Sequence, residues 1–298
     1  MSTHQPVDGS IFADDWLTQR EPVDHRSRAH GLTREAARFL RRRNIERPTV
    51  VDLGTGRGSN LRYLAPRLAT PQHWRLVDHD RALIDAIATD IPPGLTAADR
   101  IETKTLDLAG DIAPVIDQAD LVTAAALFDL VSIEWIDRLI AACASQRSGL
   151  LVALSIDGTI RFSGEIDPLD AVVRRALVAD QQRDKGLGAA LGAHAPSVLI
   201  DRLSVYGFAI SAMPSPWHLT AAEPVLAAAL IDGWRNAAIR QCPDRANALN
   251  DWATRRTNQL RTGVIDLYVG HTDVLGLPMR ADRIDGLAQS ARRRKSRS

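Results

Sequence analysis

The chain has 298 residues, 45% of them hydrophobic and 24% charged, a globular composition that excludes disordered and collagen-like architectures. At this length roughly three quarters of the unfolded surface is buried on folding, so neither a disulfide nor a structural metal is required. Cys143 and Cys242 lie far apart and outside any C-x-x-C or Cys/His cluster. The formal net charge of +1 hides an asymmetry, because Arg292, Arg293, Arg294, Lys295 and Arg297 leave −4 over residues 1–290. A mildly acidic body argues against nucleic acid as a partner.

The first 19 residues lack the basic start and apolar run of a secretory signal. The longest apolar runs, such as 150–154, fall far short of the ~20 residues of a membrane-spanning helix. A cytoplasmic protein without membrane contact is therefore expected. Trp16, Leu17, Leu32, Ala36, Phe39 and Leu40, spaced among charges, predict helices ahead of the main fold. Residues 48–53 form a short β-branched run ending in glycines, which predicts a strand. Strand-like runs at 73–77, 100–106, 119–124 and 149–155 then alternate with helical stretches. This alternation predicts a Rossmann-like, doubly wound α/β fold with a mostly parallel seven-stranded sheet.

Beyond Ser155 the pattern changes. Residues 157–195 hold a helical stretch, 167–183, and a glycine-rich loop, and read as an insertion. Residues 196–206 look helical and 207–213 strand-like; two Ala-rich helices at 220–241 and 244–261 and a last strand at 265–277 follow. The expected organisation is an N-terminal helical extension over 1–40 and a main domain over 41–280. Insertions at about 157–195 and 217–262 follow strands five and six, and a basic, disordered tail covers 281–298. The Ala-rich helices suit either intramolecular packing or a homodimer face.

The most informative stretch is Asp52-Leu53-Gly54-Thr55-Gly56-Arg57-Gly58-Ser59-Asn60, which joins the first strand to an amphipathic helix. Glycines in such a turn supply positive φ and let backbone approach a ligand where a Cβ would clash. Three alternating glycines after an acid exceed what a tight turn needs. The dinucleotide fingerprint G-x-G-x-x-G would place its third glycine at position 59, where this chain has Ser59.

Asp52, Gly54, Gly56 and Gly58 instead match, in register, the first motif of the class I S-adenosylmethionine (SAM)-dependent methyltransferases, which this segment resembles. The likeness spans about residues 35–155, with later motifs in the same order. It implies SAM as cofactor and S-adenosylhomocysteine as product. By the same resemblance Asp52 would face the methionine ammonium, directly or through water, and Gly54, Thr55, Gly56, Gly58 and Asn60 would line the methionyl chain and ribose. Arg57 is either a partner for the carboxylate or an exposed arginine at the helix start. Asp78, followed by His79, would hold the ribose hydroxyls, and Asp107 and Leu108 the adenine, with Asp107 alternatively capping a helix or turn. The small Ala124 and Ala125 would admit the cofactor beneath its sulfur. Asp129 is either an acceptor-side catalytic group or the cap of the helix through Trp135.

No N/D-P-P-Y/F/W signature and no cysteine occupies the fourth-motif region, so a small-molecule methyl acceptor is expected, with O-, N- or C-methylation open. Gln182 and Lys185, in a polar, glycine-flanked segment, are acceptor-side candidates. Asp157 and Arg161 share that standing by their position just past the fifth strand, and Trp217 by its bulk. No metal site is expected. Trp16, Arg20, Glu21, Asp24 and Arg26 suggest an N-terminal lid, so deleting residues 1–30 should harm turnover more than SAM binding. Two alternatives remain: an NAD(P)-dependent oxidoreductase and a non-catalytic SAM-binding module.

Overall fold

A computed structural model describes residues 14–68, 71–90, 95, 98–181 and 186–279. The basic tail, Gln182 and Lys185 lie outside the described residues. Two helices, α1 (Asp14–Ser27) and α2 (His30–Arg42), precede a repeating unit of β1 (Thr49–Leu53), α3 (Ser59–Leu64), β2 (Gln72–Asp78), α4 (Arg81–Asp90) and β3 (Ala98–Thr105). The chain continues through β4 (Leu121–Ala125), α5 (Ile133–Gln146), β5 (Gly149–Phe162), α6 (Pro168–Gln181) and α7 (Ala195–Val205). It ends with β6 (Phe208–Pro214), β7 (Trp217–Leu219), α8 (Pro224–Gln241), α9 (Ala246–Arg261) and β8 (Leu267–Pro278).

The strands order as β3-β2-β1-β4-β5-β8-β6, with β7 paired to β8. The first five are mutually parallel, and β8 runs antiparallel to β5, β6 and β7. The sheet is thus Rossmann-like and doubly wound, with its chain reversal between β1 and β4. An antiparallel strand wedged before β6 departs from the 3-2-1-4-5-6 order of dinucleotide folds.

Period-two alternation sorts the strand side chains between two helical layers. On β1, Val50 packs with α2, α3 and Trp74, whereas Val51 and Leu53 pack with Trp135, Ile136 and Leu139 of α5. Helix α2 shows its apolar residues at helical spacing, burying Leu32, Ala36 and Leu40. A third apolar cluster lies beside these layers, where α6, α8 and α9 gather Trp217, Trp234 and Trp252. It encloses Val23 of α1 and so ties the N-terminal helix to the C-terminal half.

The sheet has eight strands among the described residues, one more than the sequence pattern predicts. The addition is β7, three residues long and too short to show alternation. The fifth strand also runs past Ser155 to Phe162. Its pairing to β8 shifts register twice, near Leu154 at φ 56° and Gly158 at φ 80°. These irregularities hide the continuous strand from a periodicity reading.

Candidate functional site

Where β1 ends, the chain turns through Gly54, Gly56 and Gly58 at φ 65°, 54° and 78°, conformations that cost an L-residue with a Cβ. The turn is fixed from below and from the side. Asp52 is fully buried; it accepts hydrogen bonds from Thr55 Oγ1 (2.7 Å) and Asn60 Nδ2 (2.7 Å). Burial pushes its carboxyl up to about 6, against the lowering effect of those bonds. From β2, Asp78 Oδ2 accepts the Gly56 N–H at 2.8 Å, while Oδ1 accepts the Asp80 N–H at 3.0 Å. Burial alone would raise this carboxyl, but bonds from His79 and those two N–H groups hold it below its ordinary value. His79 is correspondingly raised by Asp78.

Above the loop lies a cavity of about 420 Å³, within the usual range for small-molecule sites. One wall carries Asp78, His79, Asp80 and Asp107 at the ends of β2 and β3. The floor is Gly54, Thr55, Gly56 and Asn60, and Ala125, Ala126, Leu127 and Leu130 continue it from β4. A Cβ on Gly54 would come within 3.3 Å of Leu127.

The opposite wall is α1. Leu17, Arg20, Glu21, Asp24 and His25, together with Arg28 just past the helix end, face the cavity, spaced as one side of a helix. Each charged member is anchored. Asp24 accepts from Arg20 Nε (2.8 Å) and, across 193 residues, from Trp217 Nε1 (2.9 Å). Arg62 donates to both oxygens of Glu21. His25 Nε2 lies 3.0 Å from Ser59 O, and burial lowers its pKa. Arg57, also on the rim, donates to Thr18 Oγ1 at 3.0 Å.

The structure brings together most of the residues singled out in the sequence and sets others apart. Gly54, Thr55, Gly56, Arg57, Asn60, Asp78, His79, Asp107, Leu108 and Ala125 border the cavity. Asp52, Gly58 and Ala124 lie behind its wall, and Asp52 supports the loop from beneath. Asp129 sits in the 3-10 turn Phe128–Leu130 and does not cap α5; Ser132 does, accepting from Trp135 N. Asp157 and Arg161 are exposed on the extension of β5, away from the cavity. Asp157 closes a local turn with Thr159, and Arg161 stacks on Tyr268. Trp217 stands one layer behind the wall, its ring 5.1 Å from both the Arg20 guanidinium and the His271 ring. Leu17, His25, Arg28 and Leu187 are among the lining residues that had not been candidates for it. The helical spacing 17, 20, 21, 24, 28 is the sequence signal that finds two of them, Leu17 and Arg28.

No protein-family model matches the chain, and no curated protein matches it in sequence. Among solved structures it is similar to the cyclopropane synthase MmaA2 from Mycobacterium tuberculosis, with 12% identity over 89% of this chain and 94% of that one, at a TM-score of 0.46. A cyclopropane-fatty-acyl-phospholipid synthase-like protein from Lactobacillus casei is 16% identical over 90% and 94%, at 0.49. A SAM-dependent methyltransferase from Geobacter sulfurreducens in complex with S-adenosyl-L-homocysteine is 16% identical over 90% and 99%, at 0.44.

Proposed function

We propose that the chain transfers a methyl group from SAM to a small-molecule acceptor held between the glycine loop and α1. The observation that carries this reading is the loop itself: three positive-φ glycines whose middle N–H is bound by Asp78, beneath a cavity of about 420 Å³. A vicinal diol needs a carboxylate acceptor, and Asp78, kept ionised by its neighbours, supplies one beside Gly56. A side chain at Gly56 would project toward Leu17 and fill the gap a ligand backbone needs. The residues present therefore fit a nucleoside with an attached amino acid. Ser59 at the third fingerprint position and the antiparallel β8 both argue against a nicotinamide dinucleotide.

SAM supplies an already activated methyl group, which passes to an acceptor lone pair as its bond to sulfur breaks and the electron pair stays on sulfur. The protein's share is alignment and exclusion of water. Leu17, Leu127, Leu130, Leu154 and Leu187 provide the apolar lining for that exclusion. No covalent enzyme intermediate is required. Gln182 and Lys185 adjoin Gly186 and Leu187 in sequence, and the latter two border the cavity; both remain candidates for contact with the acceptor.

The test is thermal unfolding with SAM, S-adenosylhomocysteine, NAD or NADP. A ligand at 100 times its dissociation constant stabilises by about 2.7 kcal/mol, which raises the midpoint by several degrees. A shift with the first pair alone is expected, and Asp78→Asn should abolish it. A shift with NAD or NADP alone would overturn the reading. Tight SAM binding without acceptor-dependent turnover across a metabolite panel would favour a binding module.

A further inference from the structure

Among the described residues few buried side-chain nitrogens or oxygens lack a hydrogen-bond partner, and two of them, Nε and Nη2, belong to Arg28. The others belong to Arg43, His73 and Ser155, none of which borders the cavity. Arg28 does border it, with its side chain only 2% exposed. Burying a guanidinium with unmet N–H groups is costly, so its surroundings need a reason.

Those surroundings hold the group firmly in place. Arg28 lies between α1 and α2, where the next residue donates its N–H to Asp273 Oδ2 at 2.9 Å and pins the junction to β8. Its Nη1 donates to Asn60 Oδ1 at 2.8 Å, and its plane stands 4.5 Å from the centre of the Tyr63 ring. Asp273 is the nearby acid, but Oδ2 is 3.7 Å from Nε, beyond hydrogen-bond reach. Its oxygens already accept from Ala29 N, Leu154 N and Ser215 Oγ. Asp273 thus lends Arg28 a countercharge without filling its donors. A fixed guanidinium with one side unfilled is suited to a carboxylate.

We propose that Arg28 anchors the α-carboxylate at the amino-acid end of the cofactor, an assignment that rests on the SAM reading above. Position supports it. Arg28 reaches the loop through Asn60 on the β1–β4 side, whereas Asp78 closes the far end on β2. Charge supports it as well. The cavity wall carries Asp78, Asp80, Asp107, Glu21 and Asp24, all repelling a carboxylate, while Arg20 is engaged with Asp24 and Arg57 with Thr18. The N-terminal segment is then part of the cofactor site, not only a cover for the acceptor. Removing residues 1–30 should abolish SAM binding together with turnover, contrary to the expectation from sequence.

The test compares two ligands by calorimetry: S-adenosylhomocysteine, and 5′-methylthioadenosine, which keeps the nucleoside thioether and lacks the amino acid. Arg28→Met should weaken the first by about 10- to 100-fold and leave the second unchanged, so methylthioadenosine also reports that the variant is folded. Arg28→Lys keeps the charge with a poorer fit and should fall between; it carries the test if Arg28→Met does not fold. Equal loss for both ligands, or a fall in the thermal midpoint with the affinity ratio unchanged, would make Arg28 a structural counterion of Asp273 and overturn the proposal. Unchanged affinity for both would send its donors to an anionic acceptor and overturn it equally. A wild-type protein that binds neither ligand would instead sink the SAM reading itself.

Discussion

On the loop side of the cavity the fixed polar groups are held by near neighbours in sequence: Thr55 to Asp52 at a separation of 3, Asn60 to Asp52 at 8, Gly56 to Asp78 at 22. On the α1 side two bonds span the chain, from Asp24 to Trp217 at 193 and from Ala29 to Asp273 at 244, beside shorter ties from Glu21 to Arg62 at 41 and from His25 to Ser59 at 34. The first wall can form once β1, α3 and β2 have come together. The second needs β7 and β8, the last strands of the sheet. Anything that loosens the C-terminal half therefore removes two anchors on this side and leaves α1 held to α3 by Glu21 and His25, while the glycine loop keeps its shape.

The two walls also carry opposite pH signatures. Behind the α1 wall, His271 is buried beside Trp217, and burial, aided by Arg20, pushes its pKa down to about 3. The unfolded chain takes up this proton near pH 6.5 and the folded chain does not. The stability is thus complete above pH 6.5 and is lost as pH falls toward 3. The full displacement is worth on the order of 5 kcal/mol. His271→Gln should flatten the fall in urea-derived stability between pH 6.5 and 4 relative to wild type. An unchanged slope would mean the ring is protonated in place, and the contrast between the walls would collapse.

Under the loop the sign reverses. Asp52 keeps its proton up to about pH 6 in the folded chain, whereas an unfolded aspartate loses it near pH 4. Stability from this group is greatest below pH 4 and declines as pH rises toward 6, by roughly 3 kcal/mol in total. Asp52→Asn should remove that decline, so its stability relative to wild type should rise between pH 4 and 6 and level off above. A difference that stays flat over this window would show that Asn60, Thr55 and Arg28 hold the carboxylate ionised throughout.

The same division governs what could be read from the sequence. Gly54, Gly56 and Gly58 were legible because positive φ is a property of residue type, and Asp78 because an acid at a strand end stands out beside a β-branched run. The parallel strands were legible because apolar runs such as those of β1 and β4 alternate with stretches of helical spacing. Arg28 carried a weaker mark: helical spacing puts it in line with Leu17, Glu21 and Asp24, but its role shows only where β8 brings Asp273 close to it. Asp52 shows the limit from the other side. Its register within the motif was plain, but the direction of its carboxylate depends on Asn60 and Thr55, which capture both oxygens. Asp157 and Arg161 were placed near the site because β5 was expected to end at Ser155; the strand continues to Phe162 and carries them outward.

The smallest effect tests the tie between α1 and β7 directly. Trp217→Phe keeps an aromatic ring against His271 and removes the Nε1–H that Asp24 accepts together with part of the buried indole surface. A hydrogen bond to a charged group contributes about 1.5–3 kcal/mol, and Arg20 still pairs with Asp24 after the change, so a loss near the low end is expected. That loss should vanish in the background of Asp24→Ala, which leaves no acceptor, if the bond is the whole connection, giving a coupling of about 1.5 kcal/mol in a double-mutant cycle. Because α1 would loosen without the glycine loop changing, S-adenosylhomocysteine affinity should fall by less than tenfold. Additive losses would mean that Trp217 holds α1 through its ring packing against Trp16 and Arg20, and that the long-range wall rests on apolar contact more than on its hydrogen bonds.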